Sequence, residues 1–199
     1  MKWADLLRVQ TVANQVDRKA LNRYNDWLRS AITTNKPIDQ LVRDLLSSQG
    51  GNFTSPAVNF YVAEPIPLQM AENVSQVFMG VNLKCASCHD SFVNDWTLAD
   101  AYGLAGVYAD GPLEMVHCDQ PTGKIAAPKF IYAQFGELAS STNKTVRLEQ
   151  LAKLMTQRTD GRLSRTLVNR LWQRFFGRGL VEPLDDMEQP AWSPDVMDW

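Results

Sequence analysis

Residues 18–46 read RKALNRYNDWLRSAITTNKPIDQLVRDLL, and the apolar side chains of this stretch recur at helical spacing. The first half places four of them on one face: Leu21, Tyr24, Leu28 and Ile32. The second half repeats the pattern with Ile38, Leu41, Val42, Leu45 and Leu46. Because this spacing is typical of a helix that buries one face, the stretch predicts two amphipathic helices. Pro37 suits the start of the second helix, because the first N–H groups of a helix have no partner within it and proline lacks this group.

The same period recurs along the rest of the chain and decides the fold class. Helices are predicted from about Leu68 to Val81, from Leu98 to Tyr108, and in a region that runs from Leu148 to Gly177. Residues 52–66 are expected to form a loop. Residues 111–135 carry turn residues and short β-prone runs, which predict a long loop or small hairpin.

These elements predict a mainly α protein. We expect a helical, bundle-like domain at residues 1–110, a loop or hairpin connection at 111–145, and a partial helical second domain at 146–199. The chain has 199 residues, of which 45% are hydrophobic, so it is long enough to bury one or two cores.

Charge and hydropathy exclude two classes of partner. Twenty Lys and Arg residues face 22 Asp and Glu residues, and the formal charge of −2 gives no field that favours nucleic acid. No apolar run reaches the roughly 18 residues of a transmembrane helix, so no membrane-spanning segment is expected. The charged opening MKWADLLRVQ lacks the apolar core of an export signal.

The chemistry of the chain concentrates in Cys85-Ala-Ser-Cys88-His89. C-x-x-C-H is the minimal attachment signal for a c-type haem. Two thiols one helical turn apart can each add to a vinyl group of one porphyrin, and the adjacent imidazole can then act as proximal iron ligand. Cys85 and Cys88 are therefore the predicted thioether residues, and His89 is the predicted proximal ligand.

Three other interpretations of the cysteines stay open at this point. Cys85, Cys88, His117 and Cys118 form a four-ligand zinc set if residues 111–135 fold back onto the motif, although adjacent ligands diverge in most backbone conformations. A thioredoxin-like dithiol needs a strand before Cys85, where the sequence is helical. The pair can also be buried and chemically inert.

A haem iron has a sixth position, for which the chain offers few ligands. His117 is the only histidine besides His89 and is the leading distal candidate. Met115 is the alternative, followed by Met79 and Met70. Histidine at this position favours a low redox potential and methionine a higher one.

Charged and aromatic side chains around the motif have simpler expected roles. Asp90, Asp95 and Asp100 match no calcium-loop pattern and are expected to be helix caps or solvated residues, with Asp90 also a partner that orients a backbone or imidazole group. Trp96 is expected to be core, or to pack against the porphyrin. Five arginines surround the helix whose apolar face carries Leu163, Leu167 and Leu171, and they are expected to be solvated and to pair with the acidic end of the chain: Arg162, Arg165, Arg170, Arg174 and Arg178.

Two blocks of the chain resemble known bacterial families. The planctomycete cytochrome-like domain, named for its C-x-x-C-H, is similar to YNDWLRSAITTNKPIDQLVRDLL at 24–46 and FMGVNLKCASCHDSFVNDWTLADAYGLAGVYAD at 78–110. The PSD-type domain of unknown function, which follows it in the same large proteins, is similar to TLVNRLWQRFFGRGLVEPLDDM at 166–187. Together the resemblance covers residues 3–199.

The resemblance implies an exported protein of the periplasm or cell envelope, with haem c on Cys85, Cys88 and His89 and no established enzymatic activity. Family members are longer and usually carry an export signal, so the chain is expected to be a fragment of such a protein. Family motifs often continue as C-H-D-H, and here Ser91 replaces the second histidine. The ligand or supporting role expected at that position is therefore unfilled.

The residues and the resemblance together predict a haem protein that transfers electrons or supports a redox partner protein. One alternative is a structural or interaction module without haem, whose cysteines bind zinc or are buried. Another is part of an enzyme that acts on envelope polymers, which rests on family context alone.

Overall fold

A computed structural model of the protein describes residues 3–10 and 16–197. Within these residues the chain is mainly α, as predicted, and its strands form one two-stranded sheet. The helices are α1 Trp3–Leu6, α2 Arg18–Thr33, α3 Ile38–Leu46, α4 Asn59–Val62, α5 Pro67–Val74, α6 Leu98–Tyr108, α7 Lys144–Met155, α8 Arg162–Phe176 and α9 Pro194–Met197. Short 3-10 turns occur at Pro56–Val58 and Ala133–Phe135.

The helix boundaries follow from local side-chain chemistry. Asp17 caps α2 by accepting a hydrogen bond from the Lys19 N–H at 2.7 Å. Thr97 and Asp100 form a reciprocal capping box at the start of α6. At the other end of the chain, α8 stops at Gly177, whose φ of 84° is the left-handed conformation that glycine adopts readily. Both the predicted helix at 98–108 and the predicted stop at Gly177 are confirmed.

Two details of the predicted pattern are wrong. Ile32 is 55% exposed, because the buried face of α2 runs through Ala20, Tyr24, Leu28 and Ala31. Ile32 lies about 100° around the helix from Ala31 and therefore falls outside this stripe. Residues 52–66 include a 3-10 turn and α4, and Phe60 there is fully buried. A four-residue helix is too short to show a period in the sequence.

Helix α6 lies at the centre of the molecule. Nine of its eleven residues are buried, as expected of a helix that is apolar all round, and it packs against α5, α7 and β1. The apolar core is continuous from Leu7 to Leu167, so residues of α7 and α8 share it with the N-terminal helices. None of the described helices is long and apolar enough to span a membrane.

The predicted hairpin is present at β1 Glu114–His117 and β2 Gln120–Ile125. The strands are antiparallel, with His117 opposite Gln120 and an irregularity in register between Glu114 and Val116. Cys118 and Asp119 form the two-residue turn and both have positive φ, 45° and 68°. This pair of left-handed residues is the geometry of a type I′ hairpin turn.

Candidate functional site

The cysteine motif follows an irregular helix end. After α5 the chain forms a π-helical turn at Ser75–Met79, and Gly80 then adopts φ 62° and leaves the helix axis. Val81, Leu83 and Ala86 are buried at 1% exposure or less, and they hold the following segment on the core. The residues between and after them face outward, which brings the motif to the surface.

The two thiols of the motif lie on one turn of backbone. The N–H groups of Cys88 and His89 both donate to the carbonyl of Cys85, at 3.2 and 3.3 Å. Cys85 and Cys88 are both exposed and reduced. Residues three apart on such a turn share a face, so both thiols are open to a reagent arriving from the same side.

The His89 imidazole is oriented by its own chain. Nδ1 lies 2.7 Å from the carbonyl oxygen of Asp90. A carbonyl oxygen only accepts hydrogen bonds, so Nδ1 carries the proton in the neutral ring and Nε2 keeps its lone pair. Metal-binding histidines are commonly held in this way, with one nitrogen donating to a carbonyl and the other free to coordinate.

Apolar side chains beside the imidazole are open to water. Phe92 is 88% exposed and Val93 is 74% exposed, and the Phe92 ring lies 4.6 Å from the His89 ring between centroids. Exposed apolar groups beside a chemical site are a surface that a ligand or partner can cover. The sequence contains this signal, since Phe92 and Val93 come three and four residues after His89, but their exposure is visible only in the structure.

The hairpin folds back onto the motif. The Cys118 N–H donates to the Cys88 carbonyl at 3.0 Å, and the two sulfur atoms are 3.9 Å apart. The hydrogen bond with Cys88 is the main cause that raises the pKa of the Cys118 thiol, which is itself exposed. The hairpin turn at Cys118 therefore lies beside Cys88, which meets part of what the distal-ligand and zinc hypotheses require.

The two candidate distal ligands have different surroundings. His117 ends β1 and is exposed, one residue before the turn that touches Cys88. Met115 is half-buried and packs against the small cluster of Leu98, Tyr102 and Ala126. The Met115 thioether is thus occupied by apolar contacts, whereas the His117 imidazole is open.

The zinc set is brought together only in part. Cys88 and Cys118 are in contact, yet in the described ranges no group of three or more His, Cys, Asp or Glu side chains is arranged to hold a metal ion. The dithiol hypothesis is not favoured either, because residues 80–84, which precede Cys85, form no strand.

Asp90 and Asp100 have structural partners, whereas Asp95 is exposed, which fits its expected role as a solvated residue. Asp90 Oδ1 accepts the N–H of Leu98 at 2.8 Å, at the start of α6. Asp100 completes the capping box and pairs with Lys129 at 2.7 Å. Burial acts to raise the pKa of Asp100, but hydrogen bonds from Lys129 and Thr97 outweigh it and lower the pKa. Their predicted capping roles are confirmed, and the Asp90 backbone carbonyl also orients the imidazole.

A polar cleft of about 610 Å³ adjoins the motif and includes residues Val93 to Trp96. Trp96 meets Tyr132 edge to face, with ring centroids 5.5 Å apart. Arg162 lies over the Tyr132 ring and pairs with Glu188 at 2.7 Å, so the expected pairing of an arginine with the acidic end is confirmed. Sequence spacing gave no signal for this cleft, because its residues are far apart along the chain.

Family comparison agrees with the division of the chain into two blocks. A family model described as a protein of unknown function (DUF1549), with the short name PSCyt2, matches residues 1–112. A second, described as a protein of unknown function (DUF1553), with the short name PSD1, matches residues 147–199. No curated protein and no solved structure matches the chain.

Proposed function

Because the family model matches residues 1–112 of the 199, the chain belongs to the DUF1549 family, and we propose that it covalently binds one c-type haem. Cys85 and Cys88 form the thioethers and His89 is the proximal iron ligand in this proposal. The orientation of His89 is the observation that carries it. Its Nδ1–H is committed to the Asp90 carbonyl, which leaves Nε2 as the ligand atom.

The surroundings of the motif fit a porphyrin in two further respects. The two thiols are exposed on one turn, so both are accessible to the vinyl groups of one molecule. Phe92 and Val93 offer apolar surface directly beside the imidazole, and an apolar macrocycle would remove it from water. A c-type haem held here supplies one-electron transfer at its iron.

His117 is the proposed distal ligand, ahead of Met115. The hydrogen bond between Cys118 and Cys88 fixes the hairpin turn beside the motif, and His117 precedes that turn with its imidazole exposed. Using Met115 would require it to leave its apolar cluster.

The proposal includes electron transfer or support of a redox partner in the periplasm or cell envelope. The resemblance to exported proteins supports that location. The small apolar surface at Phe92 and Val93 suits a short-lived encounter with a redox partner, since such interfaces are at the small end of the size range.

Co-expression with a haem c maturation system tests the proposal. The chain is given an export signal, and covalent haem is detected by haem staining of a denaturing gel and by the reduced pyridine spectrum. Wild type is expected to retain haem through denaturation, and the double variant Cys85→Ser, Cys88→Ser is expected to retain none. A chain without covalent haem, above all one that holds stoichiometric zinc, would overturn the proposal.

The same material tests the iron ligands. His89→Ala is expected to abolish the native low-spin spectrum, whereas His117→Ala is expected to change the spin state and Met115→Leu to leave it unchanged. An unchanged spectrum in His117→Ala would discard that residue as the distal ligand.

A further inference from the structure

The third cysteine of the chain is held in an unusual backbone position. Cys118 has φ 45° and occupies the first central position of the hairpin turn. Such turns favour Asn or Gly, because a side chain other than Gly, Asn or Asp is rarely found at positive φ. The chain therefore places a residue of low turn preference at this point, and the placement brings its sulfur to Cys88.

Two contacts join Cys118 to Cys88 across 30 residues of chain. The backbone hydrogen bond of 3.0 Å fixes the two main chains side by side, and the sulfur atoms lie 3.9 Å apart. A disulfide needs an S–S distance of about 2.05 Å, which side-chain rotation can supply when the backbones are already adjacent. Both thiols are exposed and therefore accessible to an oxidant.

We propose that Cys88 and Cys118 form a reversible disulfide in the haem-free chain. This inference goes beyond the proposed haem function, because the bond depends only on the two thiols and their contact. Cys85 stays a free thiol in that state.

The oxidant is a small-molecule or protein disulfide. One cysteine thiolate attacks a sulfur of the oxidant, which forms a mixed disulfide and releases one thiolate. The other cysteine then attacks the protein sulfur of the mixed disulfide and releases the second thiolate. Two protein thiols are oxidised to one disulfide, the oxidant is reduced to two thiols, and these take up the two protons.

The bond has a consequence for the motif. A Cys88 sulfur held in a disulfide is not available for thioether formation, so the oxidised state protects the motif and reduction opens it. This consequence, unlike the bond itself, rests on the proposed haem function.

Peptide mapping tests the bond in the full haem-free chain. Oxidised glutathione is the oxidant, remaining thiols are alkylated, and linked peptides are identified by mass spectrometry. Trypsin leaves all three cysteines in one fragment, because residues 85–123 contain no Lys or Arg. Cleavage after aromatic residues is used instead, since Phe92, Trp96 and Tyr108 separate Cys88 from Cys118.

The expected product links the Cys88 peptide to the Cys118 peptide and carries an alkyl group on Cys85. Alkylation of Cys88 and Cys118 should fall about tenfold on oxidation and return with dithiothreitol. Cys85→Ser is the matched control and should keep the link. A Cys85–Cys88 link, glutathione retained on Cys118, or three alkylated thiols would each overturn the inference.

This outcome is independent of the haem experiment. A chain that forms the link but never binds haem refutes the proposed function alone. A chain that binds haem but never forms the link refutes the disulfide alone.

Discussion

The Cys85–His89 segment and the Asn169–Arg170 pair place their polar groups in opposite surroundings. Asn169 is fully buried, and its Oδ1 accepts the N–H groups of Leu180 and Val181 at 2.7 and 3.0 Å. Its Nδ2 donates to the Val181 carbonyl at 2.8 Å. The thiols of Cys85 and Cys88, in contrast, are exposed to solvent.

The two segments therefore differ in role, since one is structural and the other carries reactive groups. The side-chain amide of Asn169 bonds to backbone groups of its own chain, so its role is to fix the turn after α8. In the Cys85–His89 segment both thiols are accessible. The imidazole uses only Nδ1 in its hydrogen bond to the Asp90 carbonyl, so Nε2 takes no part in that bond. Of the two segments, only Cys85–His89 has reactive groups that another molecule can reach.

Contacts from the region around Asn169 and Arg170 also hold the segment that precedes Cys85. Arg170 donates to the carbonyl of Gln76 at 2.7 Å, in the π-helical turn before the motif. The Met187 N–H donates to the Gly80 carbonyl at 2.7 Å. The second family block thereby holds the segment that leads the chain to Cys85, and substitutions there should lower stability.

Among the substitutions of polar side chains, Asn169→Ala is expected to have the largest effect on stability. It leaves two N–H groups and one carbonyl buried without their partner, so the free energy of unfolding should fall by about 3 kcal/mol. Denaturant unfolding of the haem-free chain measures the change. Asn22→Ala, at an exposed position of α2, is the control and should stay within about 0.5 kcal/mol. Equal losses in the two variants would contradict the role of Asn169 in fixing the turn after α8.

Gly80→Ala tests the contact between the segment before Cys85 and the second family block, which includes Met187. The new Cβ would overlap the Met187 side chain, and φ at this position is 62°. Strain and overlap together should cost about 2 to 3 kcal/mol of unfolding free energy. Gly111→Ala is the control, because nothing lies within 4 Å of a Cβ added there.

Adding Met187→Ala to Gly80→Ala should recover the part of the loss due to overlap. Calorimetry or denaturant unfolding measures each variant. A double variant as unstable as Gly80→Ala alone would show that backbone strain accounts for the whole effect.

Asp160, just before α8, is a carboxyl group whose pKa is raised above its ordinary value. Asp160 is 6% exposed, and burial raises its pKa to about 6, although its hydrogen bond and charge interaction with Arg162 act in the opposite direction. The unfolded pKa is about 3.9, so the folded state binds the proton more tightly. Its contribution to stability is therefore full below about pH 4 and is lost as pH rises through about 6.

Asp160→Asn should remove this pH dependence while keeping the oxygen that accepts the Arg162 N–H at 3.3 Å. The variant should gain about 2 kcal/mol relative to wild type between pH 4 and pH 7. Unfolding measured at both pH values gives the difference, in which other carboxyl groups cancel. A constant difference across this range would mean that Asp160 has an ordinary pKa.

Periodicity predicted the main helices well, because α2, α3, α6 and α8 each bury a face or a whole surface that the sequence pattern records. It failed where a few residues form an element, as in α4. The hydrogen bond that orients His89 joins a side chain to a neighbouring carbonyl, and no residue spacing encodes it. The contact between Cys88 and Cys118 depends on the hairpin register, so the sequence alone indicated their proximity only as members of a zinc set.

Phe92→Ala is expected to have the smallest effect on the haem-free chain. The ring is 88% exposed, so its removal should change the unfolding free energy by less than about 0.5 kcal/mol. Phe78→Ala is the matched control, since that ring is 1% exposed and its loss should cost about 3 to 5 kcal/mol.

Measuring the unfolding free energy of both variants again in the haem-loaded chain tests whether the porphyrin covers the Phe92 ring. If the porphyrin covers the apolar surface beside His89, Phe92→Ala should then cost measurably more than in the haem-free chain, because the ring would be withdrawn from water. The cost of Phe78→Ala should be the same in both states, since that ring is buried already. A Phe92 effect that does not change on haem loading would show that the porphyrin leaves this ring exposed, and that the motif holds its haem without help from Phe92.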